Sequence, residues 1–114
     1  MDGALRAALV QELDDARRDE GNRDYSMAWS RLERAHVLSQ AHAGSHVGVH
    51  LRMAGFAYRR RDLRELLGQV SRILLAAPGS WSGRAPRGNT GGADVGIFTP
   101  MEMPPDLRAI LDRR

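Results

Sequence analysis

Between positions 3 and 77 apolar residues recur at helical spacing in four stretches, and the breaks between them are only a few residues long. That pattern leaves little but an all-α fold. Leu5, Leu9, Glu12 and Ala16 share one face of a helix expected from Gly3 to about Glu20. Asp2 is placed to cap it, and Gly21-Asn22 suits the left-handed backbone that ends a helix. A second helix is expected from Tyr25 to about Gln40, capped by Asp24, because Tyr25, Ala28, Trp29, Leu32, Ala35 and His36 fall on one arc. Ala43-Gly44 should break the chain. The third helix then runs from His46 to about Arg60 with Ser45 as cap, and the fourth from Leu63 to Ala77. Asp62 and Glu65 give the fourth a D-x-x-E capping box, and Leu63, Leu66, Leu67, Val70, Ile73 and Leu74 give it the clearest apolar stripe in the chain.

Short connections predict antiparallel neighbours, arranged as a four-helix antiparallel bundle or as two stacked helical hairpins of the tetratricopeptide kind. The first two helices echo such a repeat, in which a Gly-containing turn leads into a helix with small residues at fixed steps, but no second copy of the same period is legible. Composition changes at Pro78-Gly79. Gly83–Gly92 is turn chemistry, Val95–Phe98 reads as a short extended piece, and Pro104-Pro105-Asp106 should start a final helical turn or two. Trp81, Ile97, Phe98, Met101, Leu107 and Ile110 supply apolar anchors, so this Gly/Pro-rich stretch is expected to dock as a strap. The expected organisation is one helical domain over 1–114, with a bundle at 1–77 and an irregular strap at 78–114.

The 114 residues leave room for a single domain. Cysteine is absent, which excludes disulfides, thiolate zinc sites, iron-sulfur clusters and cysteine nucleophiles, and makes the cytoplasm the expected location. All 17 basic residues are arginine, and with 14 acids interspersed the net charge of +3 is too small to argue for nucleic-acid binding. The basic run Arg59–Arg61 falls at a helix C-terminus, where the dipole accounts for it. The longest apolar run, Ile73–Ala77, is far below the roughly 20 residues of a membrane span. An acid at position 2 is unlike the basic start of a secretory signal. Neither nucleic acid nor membrane is an expected partner.

The four histidines are His36, His42, His46 and His50, all in one helix-turn-helix segment. At 100° per residue His36 shares the inward arc of the second helix, while His46 and His50 stand one turn apart on the apolar arc of the third with Met53 and Ala57. If these helices meet antiparallel, His36 stands level with His50, and three ring nitrogens can converge. Glu33 precedes His36 by one turn, and Glu12 lies mid-face on the first helix, level with Glu33. An inward carboxylate needs a cation or a donor. A divalent ion held by Glu33, His36, His46, His50 and Glu12 would satisfy acids and imidazoles together; the donor set suits zinc, nickel, copper, manganese or iron. The alternatives are a core His36 bonded to Glu33, Tyr25 or Gln40, and a Glu12 paired with an arginine such as Arg34. His42 falls in the turn and is read as solvated.

The E-x-x-H at Glu33–His36 matches half of a ferritin-like di-iron pattern, but the fourth helix has no histidine for the second half. H-x-x-x-H at His46–His50 lacks the glutamate of the zinc-protease helix, so hydrolysis is not indicated. Gly88–Gly92, flanked by Arg84 and Arg87, offers backbone N–H groups to an anion, yet it lacks the Lys-Ser/Thr ending and the preceding strand of a phosphate-binding loop. A tight turn is the plainer reading.

The string Trp29-Ser-Arg-Leu-Glu-Arg-Ala-His-Val-Leu-Ser-Gln40, then His46-x-x-x-His50, Leu66-Leu-Gly-Gln69, Ala77-Pro-Gly79 and Gly83-Arg-Ala-Pro-Arg-Gly-Asn-Thr-Gly-Gly-Ala93, resembles a bacterial domain-of-unknown-function family, number 3703. The resemblance spans about Tyr25 to Leu111. It implies a small self-contained protein in which the Leu32–His36 segment, His46, His50 and the glycine loop belong to the family pattern, and it implies no activity. The functional expectation is a small cytoplasmic helical protein that binds a transition-metal ion for metal handling or resistance. The alternative is a tetratricopeptide-like module that offers a groove to a protein partner, with no metal and no catalysis. An enzyme is expected only if a coordination position stays open.

Overall fold

The computed structural model describes residues 1–81 and 103–112, with side chains for 1–73 and 103–112. Its helices are α1 (Gly3–Gly21), α2 (Tyr25–Ser39), α3 (Ala43–Arg59), α4 (Leu63–Trp81) and α5 (Pro105–Asp112), and the described residues contain no strand. Both expected aspartate caps on the first hairpin form. The Asp2 carboxylate accepts from the Leu5 N–H at 2.7 Å and that of Asp24 from the Met27 N–H at 3.2 Å. Each replaces a bond that the first turn of a helix cannot make internally.

α1 packs on α2 and α3 on α4; α2 joins the pairs through α3, while α5 lies against α1 and α2. Among the described residues α1 and α4 do not meet, which a closed four-helix bundle would require. The architecture is therefore the stacked pair of hairpins. Leu5, Leu38, Met53 and Leu107 are almost wholly buried, with Leu9, Ala28, Leu32, Ala35, Val49 and Phe56 around them. Each large side chain so removed from water contributes about 1.5–3 kcal/mol.

The two hairpins turn in the same way. In the first, Arg23 N–H donates to the Glu20 carbonyl at 3.0 Å and Asp24 N–H to the Asp19 carbonyl at 2.9 Å; in the second, Arg61 donates to Tyr58 at 3.1 Å and Asp62 to Ala57 at 2.9 Å. This is the Schellman pattern, with Arg23 (φ 63°) and Arg61 (φ 58°) in the left-handed slot and an aspartate next that caps the following helix. The copies stand 38 residues apart, so a second hairpin does follow the first, although its period is not legible in the sequence. Gly21-Asn22 does not fill the left-handed slot; the residue after it does. Two cross-links hold the turns together. Arg59 reaches Glu20 with two bonds of 2.6 and 2.9 Å, and the Arg60 guanidinium lies 3.8 Å above the Tyr25 ring.

Two boundaries depart from expectation. α3 starts at Ala43 rather than His46, because His46 N–H bonds the His42 carbonyl at 2.8 Å; His42, not Ser45, is the N-cap residue, and it makes no side-chain cap bond. Gly44 is absorbed in the first turn instead of breaking the chain. α4 continues past Ala77 through Pro78 to Trp81, and a proline that near a helix end forfeits only one backbone bond. The expected last turns become α5, whose Leu107 is buried with Met103 in the core and whose Ile110 packs against it. The Gly88–Gly92 loop, the Val95–Phe98 piece and the anchors Ile97, Phe98 and Met101 lie outside the described residues, as does the Trp81 side chain. No helix among the described residues is long and apolar enough to cross a membrane.

An arginine in the left-handed region carries a Cβ clash that glycine lacks, worth about 1 kcal/mol. Arg61→Gly is therefore expected to raise the unfolding free energy by about that amount, and the β-branched Arg61→Val to lower it; urea midpoints at constant m-value check both.

Candidate metal centre

The joint between the hairpins is where α2 ends and α3 begins, only three residues apart. So tight a turn lays the last turns of α2 against the first turns of α3, and the inward residues there are His36, His46 and His50, with 3, 5 and 2% of their surface exposed. Their Nε2 atoms form a triangle with edges of 2.8 Å (His46 to His36), 3.1 Å (His36 to His50) and 3.2 Å (His50 to His46). The rings meet edge to face or tilted, with centroids 4.6–4.8 Å apart. The three imidazoles expected to converge do so.

The triangle has a chemical consequence set by α4. His50 Nδ1 lies 2.6 Å from Gln69 Oε1, and the Gln69 amide nitrogen donates to the Glu65 carboxylate at 2.7 Å. With its NH₂ committed to Glu65, Gln69 presents a carbonyl oxygen, so the His50 proton sits on Nδ1 and its Nε2 carries a lone pair. Two N–H groups at most can then serve the three edges of the triangle. Gln69 is completely buried, and Glu65, Gln69 and Arg72 lie at i, i+4 and i+7 on one face of α4. The Gln69–Glu65 chain escaped the sequence reading, where Glu65 figured only as a cap and Gln69 only within a family string. Periodicity gave no signal for it, because Gln69 lies beside the apolar stripe of α4 rather than on it, and the stripe residues Leu63, Leu67 and Val70 are exposed.

Burial also fixes charge. His46 is pushed down to about 4, first by loss of solvent and then by the neighbouring His50. Burial lowers His50 as well, against the raising effect of the Gln69 bond and with help from the Arg72 guanidinium. Arg72 is itself lowered by burial, while the Glu65 charge raises it. Both shifted histidines are therefore neutral at pH 7, the form that can offer a lone pair.

The carboxylates do not join the histidines. Among the described residues the only group of acids, histidines or cysteines close enough to hold one ion is His36, His46 and His50. Glu12 is buried as expected, but its Oε1 accepts from Arg34 Nε at 2.8 Å, and Arg31 stands 3.6 Å from its Oε2. The reason is rotational. Arg34 and His36 differ by two residues, about 200° around α2, so α1 meets α2 on the side away from the imidazoles. Asp15 and Asp19 extend the same seam, at 4.0 and 3.6 Å from Arg31, and Arg34 continues across to Asp106 on α5. Glu33 is half-buried one turn before His36, yet about 60° away around the helix. His42 is half-buried and lies outside the triangle, in line with its reading as a turn residue.

In metal-free protein the unfolded imidazole, titrating near 6.5, accepts a proton that folded His46 refuses until about 4. Stability is thus complete above the unfolded value and is lost as pH falls through this window. Urea unfolding in the presence of a chelator should show about 2 kcal/mol lost through His46 between about pH 7 and pH 5. A His46→Leu variant should flatten that slope.

No curated protein and no solved structure matches the chain. The family described as Protein of unknown function (DUF3703) matches it over residues 3–111, a stretch that takes in α1 to α4, the three histidines, Gln69 and nearly all of α5. The chain is therefore a member of the DUF3703 family.

Proposed function

We propose that this protein binds a divalent transition-metal ion through the Nε2 atoms of His36, His46 and His50, and that it serves metal handling in the cytoplasm. The observation that carries the proposal is the triangle itself, with edges of 2.8–3.2 Å. With metal–nitrogen bonds of about 2.05 Å, three ligands at right angles stand about 2.9 Å apart and three in a tetrahedron about 3.3 Å apart. The triangle needs almost no adjustment to take an ion just above its plane. An ion would use all three lone pairs, which two N–H groups cannot do for three edges.

The support around the ligands points the same way. A metal-ligating histidine usually donates its other nitrogen to an oxygen that fixes its tautomer, and Gln69 does this for His50. The depressed basicity of His46 and His50 removes proton competition at neutral pH. Imidazoles without thiolates suit zinc, nickel, copper or iron, and three protein ligands leave at least one position for water or an exogenous donor. A site of that kind can pass its ion on, which is what handling requires.

Protein purified without a histidine tag and stripped with chelator is expected to take up one equivalent of Zn(II) or Co(II) by calorimetry and elemental analysis, and the Co(II) form should show visible ligand-field bands. Absence of stoichiometric uptake of any ion tried, or uptake unchanged in His50→Ala, would sink the proposal. Gln69→Leu keeps the packing volume but frees His50 to choose its tautomer; affinity should fall about 10–100-fold with all three ligands in place.

A further inference from the structure

A second feature lies between α1 and α3 and shares no residue with the histidine triangle. The Glu20–Arg59 pair joins the C-terminal ends of these two helices, so they run side by side in the same direction. Along their length they do not pack together, and the gap is a groove of about 640 Å³ floored by α2. Parallel first helices of successive hairpins build the concave binding face in stacked-hairpin proteins generally.

The lining has two chemistries. Its floor holds the buried Ala16, Leu32 and Phe56, while Leu51 is 57% exposed on the α3 wall. Its rim carries Arg17, Arg52, Arg59 and Arg60 against one acid, Glu20, which Arg59 already holds. Arg52 has no ion pair or side-chain hydrogen bond among the described residues, and Arg17 meets only Asp14, at 3.9 Å on the surface. Gly55 lies between them and Arg59; a Cβ there would come within 3.1 Å of Arg59 Nη1, so the missing side chain leaves that arginine room to reach across to Glu20. An excess of guanidinium around an apolar floor matches carboxylates around an aliphatic side chain. The rim offers nothing flat on which a nucleobase could stack, since Phe56 is only 7% exposed and the Tyr25 ring is covered by Arg60.

We propose that the α1–α3 groove binds a short peptide segment of a partner protein, in which carboxylates flank a leucine or similar aliphatic residue. The aliphatic side chain enters beside Leu51 over Phe56, and the carboxylates pair with Arg52 and Arg17.

Random peptides displayed on phage and selected on the full-length protein should converge on sequences of acids around an aliphatic residue. A fluorescein-labelled synthetic copy, titrated by anisotropy, should bind about tenfold more weakly to Arg52→Glu and should weaken with added salt. Leu51→Ser should also weaken it. Both substituted side chains are exposed, and circular dichroism of each variant confirms the fold. Failure to enrich any sequence, enrichment of basic or aromatic sequences, equal affinity in both variants, or displacement by single-stranded oligonucleotide at lower concentration than by the peptide would each overturn the proposal. His50→Ala should bind the peptide as wild type does, which separates this outcome from the fate of the metal site.

Discussion

Three imidazoles packed nitrogen to nitrogen are an awkward thing to bury, and the rest of this molecule is arranged around that awkwardness. The joint between the two hairpins could have been closed by apolar side chains, as the hydrophobic cluster beside it is. Instead it places His36, His46 and His50 where water is excluded, and burial penalises protonation of His46 and His50. A buried polar cluster is tolerable only when its partners are fixed, because each unsatisfied group costs about 1–3 kcal/mol. α4 supplies part of that fixing through Gln69 and Glu65. The stacking of the second hairpin on the first is thus coupled to the protonation state of the joint.

The charged groups divide the same helix by function. The face of α2 toward α1 carries Arg31 and Arg34, which engage Glu12, Asp15 and Asp19 and reach over to Asp106. The face toward α3 carries His36. One seam is ionic and ties α1, α2 and α5 together; the other is built of imidazoles and joins the hairpins. Keeping Glu12, Asp15 and Asp19 on arginine leaves the imidazoles as a set of nitrogen donors, a softer environment than a mixed carboxylate–histidine site. Arg72 beside His50 favours neutral imidazole further.

Much of this was legible along the chain. The helical periodicity gave α1 and α2 almost to the residue, the start of α4, the inward faces of α1 to α3 and the convergence of three histidines, since each depends only on 100° steps along one helix and a short turn. On α4 it pointed to the wrong face, because Leu63, Leu67 and Val70 of the apolar stripe are exposed while Gln69 and Arg72 are buried. Glu12 was correctly placed on a buried face, but periodicity cannot say which neighbour that face meets, and Arg34 proved nearer than any histidine. The hairpin repeat was hidden because its left-handed slot is filled by Arg23 and Arg61 rather than by glycine, leaving only an Arg-Asp pair in common. Gln69 was hidden for a related reason: its value lies in a partner 19 positions away.

What the sequence determined alone was local: helical period, aspartate caps, the absence of thiolate chemistry, and a cluster of imidazoles within fifteen residues. Those features follow from covalent composition and from interactions within a few residues of each other. Tertiary structure decided the rest, namely stacked hairpins over a closed bundle, arginine over metal as the partner of Glu12, the tautomer of His50, and a groove between α1 and α3. Each of these turns on the rotation and spacing of one helix against another, and that is fixed only when side chains from distant parts of the chain compete for the same buried space.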